Sequence, residues 1–367
     1  MRLVSTFSLA DGDELSKPIY NDKGQILIHE GVALTKRMIN RLTDIGVTYV
    51  YIEDEATNDI ESKSPISDRV RVEAVNTIKD TFDTMSGSDD VANSFIFDKT
   101  GEKMVDIVRH ILSEVQDHNE VISLLSDVFT YDDYIFTHSL NVTIYALALG
   151  TELGLPSKKL EELGYGAMLH DVGKVFVPRD VLLKPGKLTD EEFKQIQEHS
   201  EAGFNMLRKM PTVPLTAAHC AYQHHERLDG SGYPRGLTEK DIHLYAKILG
   251  IADVFDAVTS NRVYRNAMLP HEGLEILYAG AGTLFDQKMI QAFRKSVAAY
   301  PNGLTVVLSD GRKGIVARQN KHVSDRPVVR ILEEDGLELS EYYEIDMSQE
   351  LNVIVTECDT TLFSKNA

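Results

Sequence analysis

The sequence is poor in cysteine and in positive charge. Its two thiols, Cys220 and Cys358, are too few for a disulfide framework or a thiolate metal site. The 38 lysine and arginine residues are outnumbered by 57 aspartate and glutamate residues, which gives a formal net charge of −19. Because the phosphates of nucleic acids repel such a chain, we do not expect it to bind DNA or RNA polymers. Its 367 residues, 43% of them hydrophobic, can form two or three globular domains.

Long apolar runs are also missing. A membrane helix needs about 18 uninterrupted apolar residues. The nearest approach, residues 140–155, is interrupted by Asn141, Thr143 and Glu152, and it predicts a buried core helix instead. The short apolar run at the N-terminus ends at Asp11, before a secretory core could form. We therefore expect no membrane span and a soluble, cytoplasmic protein.

Hydrophobic periodicity divides the chain into four parts. Residues 1–60 combine short β-like runs with one helix over residues 35–46, and they predict a small α/β module. Residues 61–124 are first polar and then helical, which is typical of a linker and connector. Residues 125–301 are mostly helical, and residues 302–367 consist of β-type runs. The predicted fold is multidomain and mainly α, with an all-helical domain between a small α/β module and a small β-rich tail.

Local signals predict one helix start and two turns. Thr189, followed three residues later by Glu192, has the spacing of a capping box at the start of a helix. In the tail, Asp310-Gly311 and Asp335-Gly336 are typical of tight turns between paired strands.

Histidine and aspartate residues in the helical part form a candidate metal site. Imidazole and carboxylate ligands together suit iron, manganese, nickel or zinc in hydrolytic sites. At the predicted end of a helix, His170-Asp171 can hold one cation while the second carboxylate oxygen reaches another. Asp253 lies on an otherwise apolar helix, where a buried carboxylate without a partner is costly. The candidate ligands from these residues are His170, Asp171, His199, His224, His225 and Asp253.

A few cations accompany these ligands in the sequence. Two metal ions about 3.5–4 Å apart activate water and neutralise the charge on phosphorus when a phosphodiester is attacked. An acidic protein needs local positive charge to bind such an anionic substrate, and Lys174, Arg262 and Arg265 offer it.

Five motifs follow one another along the helical part. They are HDVGK (170–174), PGKLT (185–189), HSEAG (199–203), HHERLDGSGYPRGL (224–237) and ADVFDAVTSNRVYR (252–265). Their order resembles the HD-GYP branch of the HD phosphohydrolase superfamily, over residues 125–300. The resemblance implies an all-helical domain that hydrolyses cyclic di-GMP.

The resemblance also implies two metal sites that share one carboxylate. The ligands of the first ion would be His138, His170, Asp171 and Asp253. The ligands of the second would be Asp171, His199, His224 and His225. Two divalent ions would be the cofactors, with iron or manganese preferred and zinc or nickel as alternatives.

The same resemblance assigns catalytic and substrate-contacting residues. Asp171 and Lys174 would be catalytic, with Lys174 near the scissile phosphate. The residues that contact guanine or phosphate would be Lys174, Tyr233, Arg262 and Arg265.

One position departs from the pattern of the family. Members with three metal ions carry a glutamate one helical turn before the first histidine, where this chain has Tyr134. Asp132 and Asp133 are close in sequence, but only residues three or four positions before His138 share its helix face. The resemblance therefore implies two ions, and it leaves hydrolysis beyond pGpG to GMP open.

The favoured hypothesis is a phosphodiesterase in which a metal-bridging hydroxide attacks cyclic di-GMP and releases linear pGpG. Two alternatives stay open: a low-turnover cyclic di-GMP receptor or interaction protein, and an HD-type hydrolase of another cyclic dinucleotide. The loop that contains Gly232-Tyr233-Pro234, the GYP loop, is associated in this family with contacts to diguanylate cyclase domains. The resemblance therefore implies such domains as partners. The architecture predicts that the N-terminal module regulates the catalytic domain or forms a homodimer.

Overall fold

The structure is a computed structural model, and it confirms a mainly helical fold. The residues it describes are 1–21, 25–86, 94–117, 122, 134–184, 186–210, 213–260, 267–321 and 323–361, without the side chains of 86 and 94–100. Over these residues, helices form the middle of the chain and paired strands lie near its two ends.

The N-terminal part is the small α/β module that the sequence predicts. In chain order its elements are β1 (Arg2–Ser5), β2 (Ile19–Tyr20), β3 (Ile26–Ile28), α1 (Lys36–Asp44) and β4 (Tyr49–Ile52). β1 pairs antiparallel with β4, and β2 pairs antiparallel with β3. Helix α1 begins after Thr35, whose hydroxyl accepts a hydrogen bond from the backbone N–H of Met38. Apolar side chains of β1, β4 and α1 pack into one buried cluster.

The connector consists of two helices, α2 (Asp68–Ser86) and α3 (Ser94–Asp117). Their apolar side chains belong to the same hydrophobic cluster as those of the helices that follow, and this cluster extends back to Ile66. Buried side chains such as Val70 and Ile107 therefore stabilise the helical domain directly. The boundary expected at residue 125 lies outside the described residues and stays a prediction.

The central part is a bundle of helices around one buried helix. In chain order its elements are α4 (Tyr134–Glu152), α5 (Ser157–Leu169), a 3-10 helix (Val172–Phe176), α6 (Arg179–Leu182), α7 (Asp190–Leu207), α8 (Leu215–Gln223), α9 (Leu244–Thr259), α10 (Pro270–Ala279) and α11 (Gln287–Ser296). Helix α4 packs against α5, α9 and α11.

Two predictions about these helices are confirmed. Residues 137–150 of α4 are all buried, as expected of a core helix, although the helix ends at Glu152 and residues 151–155 are not buried. Helix α7 begins with the predicted capping box, in which the side chains of Thr189 and Glu192 each accept a hydrogen bond from the other's backbone N–H. Among the described residues, none of the helices is both long enough and apolar enough to cross a membrane.

The C-terminal part is an antiparallel sheet of five strands over the described residues. Its strands are β5 (Thr305–Leu308), β6 (Lys313–Arg318), β7 (Val328–Glu334), β8 (Leu337–Asp346) and β9 (Val355–Asp359), in the order β8-β7-β6-β5-β9. The two predicted Asp-Gly turns join β5 to β6 and β7 to β8. Asp335 and Gly336 both have positive φ, 54° and 76°, as a two-residue hairpin turn requires.

The two ends of the chain pack against each other. Met1, Leu3 and Tyr51 lie in the same hydrophobic cluster as the inner side chains of the C-terminal sheet. The backbone N–H of Leu3 also donates a hydrogen bond to the carbonyl of Gly303, at 2.9 Å. The α/β module and the β-rich tail therefore share a core beside the helical bundle.

Candidate metal centre

The structure brings all seven predicted ligands together, although they come from five places in the bundle. They are His138 on α4, His170 and Asp171 at the end of α5, His199 on α7, His224 and His225 at the end of α8, and Asp253 on α9. Their side chains are buried, apart from the partly exposed His225. Their role as ligands stays a prediction.

Gly173 in the HDVGK motif allows α7 to approach the His-Asp turn. A Cβ atom on Gly173 would lie 1.9 Å from the carbonyl oxygen of His199 and 2.6 Å from the backbone nitrogen of Gly203. Only a residue without a side chain fits this crossing. The contact places the His199 ring beside Asp171, with 3.4 Å between Nε2 and Oδ1.

The two carboxylate oxygens of Asp171 face different groups of histidines. Oδ1 lies 3.4 Å from His199 Nε2 and 3.8 Å from His224 Nε2. Oδ2 lies 3.5 Å from His138 Nε2 and 3.4 Å from His170 Nε2. Two sets of potential ligand atoms, each set lying within 4.8 Å, therefore share this one carboxylate. A carboxylate between two such sets is suited to bridge a pair of cations.

Backbone hydrogen bonds set the tautomer of three of the rings. Nδ1 of His170, His199 and His224 donates to the carbonyl three residues earlier, at 2.7, 2.5 and 3.0 Å. A carbonyl can only accept, so Nδ1 carries the proton and Nε2 of a neutral ring presents a lone pair. This is the arrangement in which a neighbouring group orients a metal-binding imidazole.

Unsatisfied atoms in the centre also fit a cation. His170 Nε2 and Asp171 Oδ1 are buried and have no hydrogen-bond partner among the described residues. The Nε2 atoms of His199 and His224 lie 3.3 Å apart, so that their lone pairs face each other. A divalent ion would satisfy both the orphaned acceptors and the opposed lone pairs, which are otherwise costly to bury.

Protonation states favour metal binding on one side of Asp171. Burial lowers the pKa of His199 to about 4 and that of His224 well below its usual value. Burial alone would raise the pKa of Asp171, but Lys174, His170 and His199 together outweigh it and hold that pKa well below its usual range. At neutral pH these groups are therefore deprotonated, as metal ligands must be.

His138 differs because two aspartates flank its ring. Asp256 Oδ2 lies 2.6 Å from Nδ1, and Asp253 Oδ1 lies 3.1 Å from Nε2. Burial alone would lower the pKa of His138, but these carboxylates raise it to about 10. A cation that binds Nε2 must therefore displace a proton. Asp256 also accepts hydrogen bonds from Asn141 and Ser260, so it acts as a hydrogen-bonding partner that orients His138.

Lys174 lies at the edge of the centre on the 3-10 helix. Its Nζ donates to Asp171 Oδ2 at 2.5 Å, and the side chain is buried. The ring of Tyr134, which occupies the position of the family glutamate, is 6.0 Å from the His138 ring and 6.0 Å from Lys174 Nζ. Tyr134 therefore brings an aromatic ring, and no carboxylate, to this side of the centre.

The GYP loop folds back over the tandem histidines. The ring of Tyr233 stacks on His225 with 4.6 Å between centroids, and its backbone N–H donates to the His225 carbonyl. A Cβ atom on Gly232 would lie 2.5 Å from that same carbonyl, so the close return of the loop requires glycine. The carboxylate of Glu226 fixes the loop further by accepting the backbone N–H groups of Arg235 and Leu237, both at 2.8 Å.

Some residues of the site were missed, and others lie outside the structure. Sequence reasoning assigned no role to Glu226 or Asn141. Glu226 lies inside the HHE motif, but its partners nine and eleven residues later are backbone groups that no sequence pattern displays. Arg262 and Arg265, predicted to contact the substrate, lie outside the described residues.

Comparison with known proteins assigns the helical and C-terminal parts to families. Residues 112–289 match the family model of the HD domain, and residues 305–362 match that of a KOW domain associated with the HD domain. The helical centre of this chain is therefore similar to the HD domain family over residues 112–289. The resemblance found in the motifs is thereby confirmed at the level of this domain.

Curated relatives of the HD domain act on cyclic dinucleotides. A cyclic di-GMP phosphodiesterase of Pseudomonas aeruginosa is 37% identical over 226 residues, which are 62% of this chain and 54% of that protein. One of Thermotoga maritima is 35% identical over 202 residues, or 55% of this chain and 54% of that protein. A 3'3'-cGAMP-specific phosphodiesterase of Vibrio cholerae serotype O1 is 41% identical over 144 residues, or 39% of this chain and 33% of that protein. This chain spans about half the length of the relatives from Pseudomonas aeruginosa and Thermotoga maritima.

Proposed function

We propose that this HD domain protein is a metal-dependent phosphodiesterase that hydrolyses cyclic di-GMP to linear pGpG. The observation that carries the proposal is Asp171, whose two oxygens face two groups of histidines in a buried centre. The relatives named as cyclic di-GMP phosphodiesterases support this choice of substrate.

The cofactors in this proposal are two divalent ions, iron or manganese, with zinc or nickel as alternatives. Bound ions would supply Lewis-acid activation of water and neutralise negative charge on the phosphate. The chain contributes the orientation of its ligands, because hydrogen bonds to backbone carbonyls hold three imidazoles in one tautomer. The count of two ions rests on the shared Asp171 and on Tyr134 at the position of the family glutamate.

We propose that the ammonium group of Lys174 neutralises negative charge on the scissile phosphate. Burial alone would lower the pKa of Lys174, but Asp171, Tyr134 and Asp253 together outweigh this and keep the pKa above its usual value. The ammonium group is therefore charged at neutral pH and lies beside the bridging carboxylate. Tyr233, Arg262 and Arg265 complete the proposed contacts to guanine or phosphate.

The test is hydrolysis by the purified full chain, reconstituted anaerobically with Fe(II) or with Mn(II). Chromatography of the products should show pGpG from the wild type and from His110→Ala, which replaces an exposed histidine outside the five motifs. His170→Ala removes one of the two imidazoles that face Asp171 Oδ2, and we expect at least a tenfold lower rate. No pGpG from the wild type, or equal rates for His170→Ala and the wild type, would contradict the proposal.

A second candidate function is hydrolysis of another cyclic dinucleotide. The Vibrio cholerae relative named as 3'3'-cGAMP-specific favours this candidate. Parallel assays with cyclic di-GMP and 3'3'-cGAMP, each as substrate and as competitor, distinguish the two. Binding of cyclic di-GMP without any product would instead indicate a receptor, and a later GMP peak would show that hydrolysis continues beyond pGpG.

The roles of the flanking parts are also proposals. Residues 1–60 would regulate the catalytic domain of residues 125–301 through the connector of residues 61–124, or form a homodimer, and the C-terminal tail is residues 302–367. Diguanylate cyclase domains are the proposed protein partners, and the cytoplasm is the proposed location. Sedimentation of the full chain tests dimer formation, and co-purification with a diguanylate cyclase domain tests the partner.

A further inference from the structure

An exposed aromatic ring lies at the rim of the metal centre. Phe193 is in the first turn of α7, six residues before His199, and 47% of it is exposed to solvent. Six residues of helix correspond to about 9 Å along the axis. Burial of an aromatic side chain is favourable, so an exposed ring at this place is available to bind an apolar surface.

Rings connect Phe193 to the candidate ligands. The centroid of Phe193 lies 6.3 Å from that of Tyr233, and the two ring planes meet at 81°. Tyr233 stacks on His225, with 4.6 Å between centroids, and its centroid lies 6.5 Å from the His199 ring. Phe193 therefore lies further from the candidate ligands than Tyr233, and the two aromatic rings pack edge to face.

We propose that Phe193 is a substrate-contacting residue on which one purine base of the cyclic dinucleotide stacks. This inference rests on the proposed function, because it takes the phosphate to lie at the metal centre. A nucleotide has a sugar between its phosphate and its base, so a base must lie outside the ligands when the phosphate is among them. The exposed ring of Phe193 occupies such a position, beyond Tyr233.

The chemistry of stacking determines what this contact selects. Every purine has a flat π-face, so an aromatic side chain binds guanine and adenine without reading their edges. Phe193 therefore contributes affinity for either cyclic di-GMP or 3'3'-cGAMP, and it does not choose between them. Because it touches the base and not the phosphate, its loss should raise KM and leave kcat little changed.

Substitution tests the contact directly in the full chain. Phe193→Ala should raise KM for the cyclic dinucleotide at least tenfold, with kcat within twofold and the metal content unchanged. Phe193→Leu keeps an apolar side chain without a π-face, so its KM should also rise. The matched control is Leu215→Ala, which removes another exposed apolar side chain, 59% exposed, at the start of α8.

The absence of tryptophan from the sequence allows a second, independent measurement. Phe193→Trp introduces a single tryptophan at the proposed stacking position, and Leu215→Trp introduces one elsewhere. Titration of metal-loaded protein with cyclic di-GMP should quench the fluorescence at position 193, with saturation near KM. The fluorescence at position 215 should not change.

The outcomes separate this inference from the proposed function. If the wild type hydrolyses cyclic di-GMP but Phe193→Ala keeps its KM and Phe193→Trp is not quenched, the stacking contact is wrong and the function stands. If the wild type neither binds nor hydrolyses a cyclic dinucleotide, both are wrong. A rise in KM together with quenching supports the contact.

Discussion

Replacement of Gly173 by alanine tests whether the close crossing of two motifs builds the metal centre. The nearest atoms to a new Cβ are the His199 carbonyl oxygen at 1.9 Å and the Gly203 nitrogen at 2.6 Å, and both belong to the backbone of α7. Gly173 does not have the positive φ that side chains disfavour. The cost of Gly173→Ala is therefore the collision itself, and no flexible side chain can move aside to relieve it.

The size of the effect follows from these distances. The contact at 1.9 Å must open by about 1.5 Å to approach van der Waals separation. Overpacking of a buried position costs about 1–3 kcal/mol, and we expect the upper end because only backbone can move. The same displacement would carry His199 Nε2 away from Asp171 Oδ1, now 3.4 Å apart, so the affinity for the second ion should also fall.

Gly203→Ala is the matched control on the other side of the crossing. Its Cβ would lie 3.2 Å from Gly173 nitrogen and 3.3 Å from the Ala221 Cβ, which small shifts can accommodate. Alanine in place of glycine within a helix also gains about 1 kcal/mol. We therefore expect Gly203→Ala to have a free energy of unfolding within about 1 kcal/mol of the wild type.

The assay combines urea denaturation of the metal-free proteins with elemental analysis after reconstitution. Gly173→Ala should unfold at lower urea concentration and retain fewer ions per chain than the wild type, and Gly203→Ala should resemble the wild type in both. A Gly173→Ala protein with an unchanged midpoint and an unchanged metal content would refute the reasoning.

Three further predictions concern the same centre. Asp256→Asn removes the charge that orients His138, so metal affinity, measured by titration with a competing chelator, should fall about 10- to 100-fold; equal affinity would be inconsistent with this role. Glu226→Ala leaves two backbone N–H groups without their acceptor, so amide exchange in residues 224–237 should quicken while that of α4 does not. Removal of metal should lower the melting temperature, since ions at 100 times their Kd stabilise by about 2.7 kcal/mol; unchanged melting would mean that no ion binds the folded state.

Much of the fold could be predicted because its signals are local. The capping box at Thr189 and the turn at Asp335-Gly336 each involve residues no more than three positions apart, and both formed as expected. The packing of residues 1–60 against the C-terminal sheet could not be predicted in this way. Leu3 donates a backbone hydrogen bond to Gly303, which lies 300 positions later in the sequence. Hydrophobic periodicity shows that a strand has a buried face, but it does not show which element covers that face.

The candidate ligands could be identified from the sequence, but their arrangement in space could not be predicted from it. Residue type and motif order identified His170, Asp171 and the tandem histidines, because imidazole and carboxylate are the groups that bind hydrolytic metal ions. The division of Asp171 between two groups of histidines depends on distances of 3.4–3.8 Å to His138, His199 and His224, which come from other helices. Helix packing sets such distances, and the sequence does not display them.

The sequence by itself determined the chemical character of this protein: its acidity, its mainly helical class, and a set of imidazoles and carboxylates in a fixed order. The tertiary structure alone decided which of these groups meet. It placed Asp256 on His138 across 118 positions of sequence, and it left Phe193 exposed beside Tyr233. The physical reason is that composition and spacing fix the groups available to each element, whereas close packing between distant elements fixes the geometry in which those groups can act.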